Sequence, residues 1–334
     1  MKLRTLIAGL SAAFAMTAAF AEQPIIIKFS HVTTSDSPKG KAGEYFKKIM
    51  EERSKGKVKV ELFPNGTLYK DKEEVEALQM GAVQMLAPAP GKFGPMGVRE
   101  FEVLDLPYLF DNVAEARKVT EGPIGQAMLK KLESKGIAGM TFWNNGFKEM
   151  TANKPLRMPE DFRGLKMRIQ SSKVLDAQMR SVGALPQMMG FSELYQALQT
   201  GVVDGQENPT SNIYTQKMHE VQKYLTMSDH GYHGYVVIMN KRFVDSLPAD
   251  VKSTLNTAMK DTTSYFNDIA KKENDDALEN IRKSGKTQII QLSKEERAAW
   301  KKAMVKTHKQ MEGLVGRDLL QSIYKETNFS PDSL

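Results

Sequence analysis

The chain has 334 residues, 47 Lys and Arg against 40 Asp and Glu, a net charge of +7 and no cysteine. The lack of cysteine excludes disulfides and thiolate metal sites, so stability has to come from core burial, and a chain of this length has enough core for two domains. The positive charge is mild and interspersed with Glu, without the basic stripe and interleaved aromatics that nucleic-acid binding requires, yet it can draw small anions toward a cleft.

The N-terminus reads as a secretory signal: Lys2 and Arg4, an apolar run over 6–18, then Ala19-Phe20-Ala21 as a cleavage site after Ala21. The apolar run is short for a bilayer span. Removing 1–21 takes away Lys2 and Arg4 and lowers the net charge from +7 to +5. Residues 25–32 form a β-branched run ending in Ser30-His31, and 38–54 carry an apolar helical stripe at Ala42, Tyr45, Phe46, Ile49 and Met50. Val58, Val60 and Leu62 alternate with charged residues as a second strand. Asp71 is expected to cap a helix running to about Met80, and 83–89 reads as a third strand. Alternating strands and helices predict βαβ units and a mostly parallel sheet. Ligands of such sheets bind beyond the carboxyl ends of the strands, here the loops 30–36, 63–69 and 87–93.

A helix is expected near 111–135, a strand over 137–143, a change of direction at Asn144-Asn145-Gly146 and an extended segment over 147–152. A second α/β unit follows: strand 165–170, helices 172–182 and 192–201, strand 202–207, a helix after Pro209, and a returning strand over 233–240. In the first of these strands Leu165, Met167 and Ile169 alternate with Lys166, Arg168 and Gln170. An interior arginine keeps its charge only with an anionic partner, and its planar fork suits a carboxylate. No acid lies within four positions of Arg168, which leaves either a distant acid or a ligand as that partner. The stretch 248–283 has helical patterning over about 36 residues, about 54 Å, long enough to bridge two lobes. The segment 294–327 is helical and charged and is expected to pack on the second lobe.

Several segments, taken in order over the whole mature chain, resemble the DctP-type periplasmic binding proteins of TRAP (tripartite ATP-independent periplasmic) transporters, in their C4-dicarboxylate branch. They are Phe29-Ser30-His31-Val32, Asn145-Gly146-Phe147-Lys148, Gly164-Leu165-Lys166-Met167-Arg168-Ile169-Gln170, the run 191–201, Val203-Asp204-Gly205-Gln206-Glu207-Asn208-Pro209, and the run 214–222. The resemblance implies an α/β periplasmic binding protein fold with two lobes around a hinged cleft and a long helix spanning both. The corresponding domains are 22–145 with about 234–265, and 146–233 with about 266–334. It implies that Arg168 holds a ligand carboxylate as a bidentate salt bridge, that Asn208 hydrogen-bonds the same group, and that Phe191 packs on the ligand body. Lys148 stands at a second basic position, His31 lines the cleft from the first lobe, and Lys92 lies in a loop where some relatives place a further basic residue. Tyr232 is expected in the cleft at the crossover.

Relatives that bind sialic acid carry an acid in the loop after the third strand. Here that loop reads Ala87-Pro88-Ala89-Pro90-Gly91. The expected site is therefore basic without counter-charges and suited to malate, succinate or fumarate, with Lys148 and His31 or Lys92 serving the second carboxylate. Another organic acid is the alternative ligand. The partners are a small organic dianion and a TRAP permease, or a signalling kinase, and the expected state is monomeric. No G-x-S-x-G elbow or H-E-x-x-H motif supports an enzyme. His230 and His233, three apart, lack the further ligands of a metal site, and no cofactor is expected. Lys148 also reads as a solvated lysine, Asn208 as a helix cap and Phe191 as core.

Overall fold

The computed structural model describes residues 23–331, so the signal segment and its cleavage point at Ala21 lie outside the described residues. The chain begins with β1 (Ile25–Ser30), α1 (Pro38–Arg53), β2 (Val58–Phe63), α2 (Glu74–Gln79) and the two-residue β3 (Met85–Leu86). The entry to α1 is fixed by Ser37, whose side chain accepts from the Gly40 amide, with Pro38 pre-set at the first helical position. Then come α3 (Val113–Glu121), α4 (Pro123–Lys131), β4 (Ile137–Ala152), β5 (Lys166–Ile169), α5 (Lys173–Ser181), β6 (Leu185–Met188) and α6 (Leu194–Gln199). After β7 (Gly205–Asn208), α7 (Thr210–Thr215), β8 (Tyr224–Asn240) and α8 (Lys241–Ser246), the helix α9 (Ala249–Ser284) runs for 36 residues. The chain closes with β9 (Gln288–Gln291), α10 (Lys294–Met304), α11 (Lys306–Val315) and α12 (Arg317–Thr327).

Among the described residues nine strands share one sheet, ordered β2-β1-β3-β8-β4-β7-β5-β6, with β9 on the other end of β8. The sheet is mixed. Strands β1, β2 and β3 are parallel, as are β5, β6 and β7, but β8 is antiparallel to β3 and β4, and β4 to β7. The expectation of a mostly parallel sheet holds within each βαβ unit and fails between them, because β4 and β8 run through both lobes in opposite directions.

No change of direction occurs at Asn144-Asn145-Gly146. The ladder between β4 and β8 continues past it, with a register shift between Asn144 and Gly146. The Asn-Asn-Gly signal marks a β-bulge, with Gly146 at φ +108°. The helix α9 supplies the bonds that keep the backbone from turning. Asn267 accepts from the Asn144 amide at 3.0 Å, and Asn274 donates to the Asn145 carbonyl at 2.7 Å while accepting from the Ser211 amide at 3.0 Å.

The long helix serves two cores. Its Val251–Ala270 stretch packs with Ile27, Phe46 and Val60 from the β1–α1–β2 unit, and Ile281 with Leu194, Leu198 and Val203 on the opposite side. The C-terminal helices do not keep to the second lobe. Trp300 and Met304 of α10 join the core of Met167 and Ile169, whereas Leu320, Ile323 and Tyr324 of α12 pack with Phe101, Phe110 and Val119. Their apolar faces are complementary to both lobes, so they brace the two against each other.

Where β4, β7 and β8 lie side by side, a buried polar network takes the place of apolar packing. Lys148 Nζ sits 2.6 Å from Glu207 Oε1, and Glu207 Oε2 contacts Gln178 Nε2 at 3.1 Å and His230 Nε2 at 2.8 Å. Burial works to raise the Glu207 carboxyl, but Lys148 and His230 hold it well below the usual range. Removing one partner of such a pair leaves a buried charge alone. Lys148→Met is expected to lower the unfolding free energy in urea by about 3–5 kcal/mol, with part regained in Lys148→Met/Glu207→Met. Asn274→Ala, which strands the Asn145 carbonyl at the bulge and the Ser211 amide at the start of α7, is expected to cost about 1–3 kcal/mol in the same assay.

Candidate ligand-binding cleft

The carboxyl ends of the strands in the two βαβ units converge on one cleft. Its centre is Arg168. Met167 and Ile169 on either side turn into an apolar core, which sends the Arg168 side chain to the opposite face, where it is 1% exposed. Strand β6 fixes its orientation: Nε and Nη2 both donate to the Met189 carbonyl, at 3.0 and 2.9 Å. Nη1 is buried with no hydrogen-bond partner, and the Phe191 ring centre lies 5.7 Å from the guanidinium carbon. Burial pulls the guanidinium below its usual pKa, and the charges of Asp71, Glu207 and Glu193 act against that fall. An arginine remains charged under such pressure.

Asn208 ends β7 beside Arg168. Its amide donates to Gln206 Oε1 at 2.6 Å and accepts from Asn212 at 3.1 Å, and Asn212 also donates to the Tyr235 hydroxyl at 3.1 Å. This chain of amides fixes which way Asn208 presents its remaining hydrogen.

The facing wall comes from the first βαβ unit. Lys39, in the first turn of α1, donates to the Ala87 carbonyl at 2.9 Å and stands 3.7 Å above the Tyr235 ring. Lys92 pairs with Asp71 at 2.8 Å. The other Asp71 oxygen accepts from the Phe191 amide at 3.1 Å, a hydrogen bond that crosses the cleft. Glu74, Thr33, Gln170 and His233 complete the part of the lining that bears on charge and polarity.

Burial sets the charge states. It pushes Lys39 down to about 8, and it pushes Glu74 up to about 8 with help from Asp71. Burial would also raise Asp71, but Lys92, Arg168 and the Phe191 amide hold it below the usual carboxylate range. His233 falls well below its normal value through burial and the charges of Lys148 and Lys39, so it is neutral, and its Nε2 is buried without a partner. At neutral pH the cleft therefore holds three cations, Lys39, Lys92 and Arg168, against one carboxylate, Asp71. The balance is +2.

Of the residues expected from the sequence, Arg168, Asn208, Phe191 and Lys92 line this cleft. Lys148 does not, because Glu207, whose partner role the sequence gave no sign of, ties it into the network behind the sheet. Tyr232 turns the other way: its hydroxyl donates to Asn144 Oδ1 at 2.6 Å and its ring packs edge-on against Phe110. His31 stands behind the lining, its Nδ1 3.2 Å from the Thr33 hydroxyl, with burial pushing its pKa down to about 3. The site is also not free of acids. Asp71, expected as a helix cap, and Glu74 supply them from the α2 side instead of the loop after β3. The histidines separate, His230 into the buried network and His233 into the cleft.

The chain is similar to known proteins over nearly its whole length. The family profile of DctP, bacterial extracellular solute-binding protein, family 7, matches residues 29–313. The C4-dicarboxylate-binding periplasmic protein DctP of Rhodobacter capsulatus is 54% identical over 97% of this chain and 98% of its own length. A TRAP periplasmic solute-binding protein of Shewanella oneidensis, solved with bound succinate, superposes with a TM-score of 0.89 at 38% identity, over 91% of this chain and 99% of that one. Another, from Pseudomonas aeruginosa with bound L-malate, gives a TM-score of 0.84 at 39% identity, over 86% of this chain and all of the other. With a profile that spans most of its length, this chain belongs to the DctP family of bacterial extracellular solute-binding proteins.

Proposed function

We propose that this protein is the periplasmic receptor that captures a C4-dicarboxylate, such as succinate, malate or fumarate, and delivers it to a TRAP permease. The observation that carries the reading is Arg168: a guanidinium buried to 1% exposure, with one edge spent on the Met189 carbonyl and Nη1 left without a partner inside the cleft. A carboxylate entering such a site loses its water, which costs several kcal/mol unless strong donors replace it. The free edge of Arg168 and the remaining amide hydrogen of Asn208 replace them at one end of the ligand, with Phe191 against its body. The balance of +2 in the cleft suits a dianion. The ligands bound to similar proteins, succinate and L-malate, support the same class.

In this reading the protein binds and releases without chemistry. Export through cleavage after Ala21 places it where a permease can meet it, and among the described residues no helix is long and apolar enough to cross a membrane.

Calorimetric titration of refolded, ligand-free protein with succinate, malate, fumarate, glutarate, pyruvate and glucuronate tests the proposal. The C4 diacids are expected to bind well above the rest. Arg168→Ala is expected to weaken succinate binding by about 2 kcal/mol or more, as truncating one side of a desolvated charge pair does, and Arg168→Lys by a comparable amount. Undiminished binding in Arg168→Ala, or a sugar acid preferred over every diacid, would overturn it.

A further inference from the structure

The cleft contains three cations, and they are not equivalent. Lys92 already has a carboxylate, Asp71 at 2.8 Å. The buried Lys148 behind the sheet has Glu207. Among the described residues, Arg168 and Lys39 are the two cations lining the cleft with no carboxylate within 4 Å. Lys39 is 2% exposed, and its ammonium, with three hydrogens to donate, has one carbonyl and one aromatic face as partners. A buried ammonium with open donors is costly, and an arriving carboxylate would supply the partner it lacks. Glu74, 2% exposed in the first turn of α2, faces the same cleft.

We propose that Lys39 and Glu74 read the ligand's second carboxylate, Lys39 through its charge and Glu74 as a protonated carboxyl that donates a hydrogen bond, and that this pair selects dianions over monoanions. The inference rests on the receptor reading above and goes further by assigning the pole opposite Arg168. A protonated Glu74 is the form that fits beside an incoming carboxylate, since an ionised one would repel it and cancel Lys39. The surroundings favour that form. Asp71, on the loop before α2, faces Glu74 with a negative charge, and Lys39 and Lys92 act against it more weakly than burial and Asp71 together. Lys39 in turn faces Glu74 and Asp71, with Lys92 as the opposing like charge, and it adds to the burial that keeps His31 and His233 neutral. Arg168 faces Asp71 from the other wall.

The sign of the pH effect follows. Both Lys39 and Glu74 lose protons as pH rises through about 8, so each step removes positive charge or adds negative charge where the second carboxylate sits. A C4 diacid is doubly ionised throughout that range. Its affinity is therefore expected to fall above pH 8.

The test is calorimetric titration with succinate and with butyrate, its one-carboxylate counterpart, on refolded wild type, Lys39→Met, Lys39→Gln and Glu74→Gln between pH 6.5 and 9, with thermal unfolding checked for each. Replacing Lys39 is expected to weaken succinate at least about thirtyfold while leaving butyrate within about threefold. Glu74→Gln, which keeps a neutral donor, is expected to hold succinate within about threefold at pH 7 and to flatten the loss above pH 8. Equal weakening of both ligands by the folded Lys39 variants, or a Glu74→Gln profile that matches wild type, would overturn the pair while leaving the receptor intact. A wild type silent to every C4 diacid would overturn the receptor reading and the pair together.

Discussion

The site depends on one hydrogen-bonded fork: the Nε/Nη2 edge of Arg168 held on the Met189 carbonyl. A carbonyl is a neutral partner. It aims the guanidinium and satisfies two of its donors without neutralising it, which a carboxylate in the same place would do. The charge therefore survives burial in usable form. The carbonyl is in turn placed by strand β6, whose ladder with β5 continues from Met189 to Ile169. An edge strand of four residues thus decides how the ligand's carboxylate is met.

The strands β4 and β8 make that arrangement mechanical. They are the longest pair in the sheet; β8 contributes His233 and Tyr235 to the cleft, and both strands run through the cores behind it. Their shared bulge at Asn144–Gly146 is bonded to α9 through Asn267 and Asn274, so strand and helix are tied at the level where the lobes meet. The buried Lys148–Glu207–His230 network joins these two strands to β7. A hydrogen-bonded polar network is geometrically stricter than apolar packing. It fixes the register of β7 against β4, and with it the position of Asn208 in the cleft wall.

Much of this was legible in the sequence where a pattern has a single physical reading. The 36-residue helix, the βαβ units and a charged arginine inside a strand all followed from periodicity or from the absence of a local acid. What was lost involves contacts distant in sequence. Nothing local indicates that Glu207 claims Lys148, or that α9 satisfies the backbone at a turn-like Asn-Asn-Gly. Strand β6 has Leu185 and Met188 exposed and no clean alternation, so it left no trace. Lys39 and Glu74 did leave one. Lys39 stands three and seven residues before Ala42 and Phe46, and Glu74 three and four before Ala77 and Leu78, so both fall on the apolar stripes of their helices. A charge on the buried face of a helix has to be explained, and its neighbours in a Lys- and Glu-rich stretch hid it.

The same unpaired charges account for how a ligand would control closure. Bringing the walls together places Lys39, Lys92 and Arg168 around a space of reduced polarity, where like charges repel more strongly than in water. Asp71 offsets part of this, since it holds Lys92 from one wall and takes the Phe191 amide from the other. It cannot offset all of it, because the balance remains +2. A dianion touching both walls removes the repulsion and adds its own bonds, whereas a monoanion at Arg168 leaves Lys39 uncompensated. Closure then discriminates by charge as well as by shape, since a ligand shifts the equilibrium only by its differential affinity for the closed form.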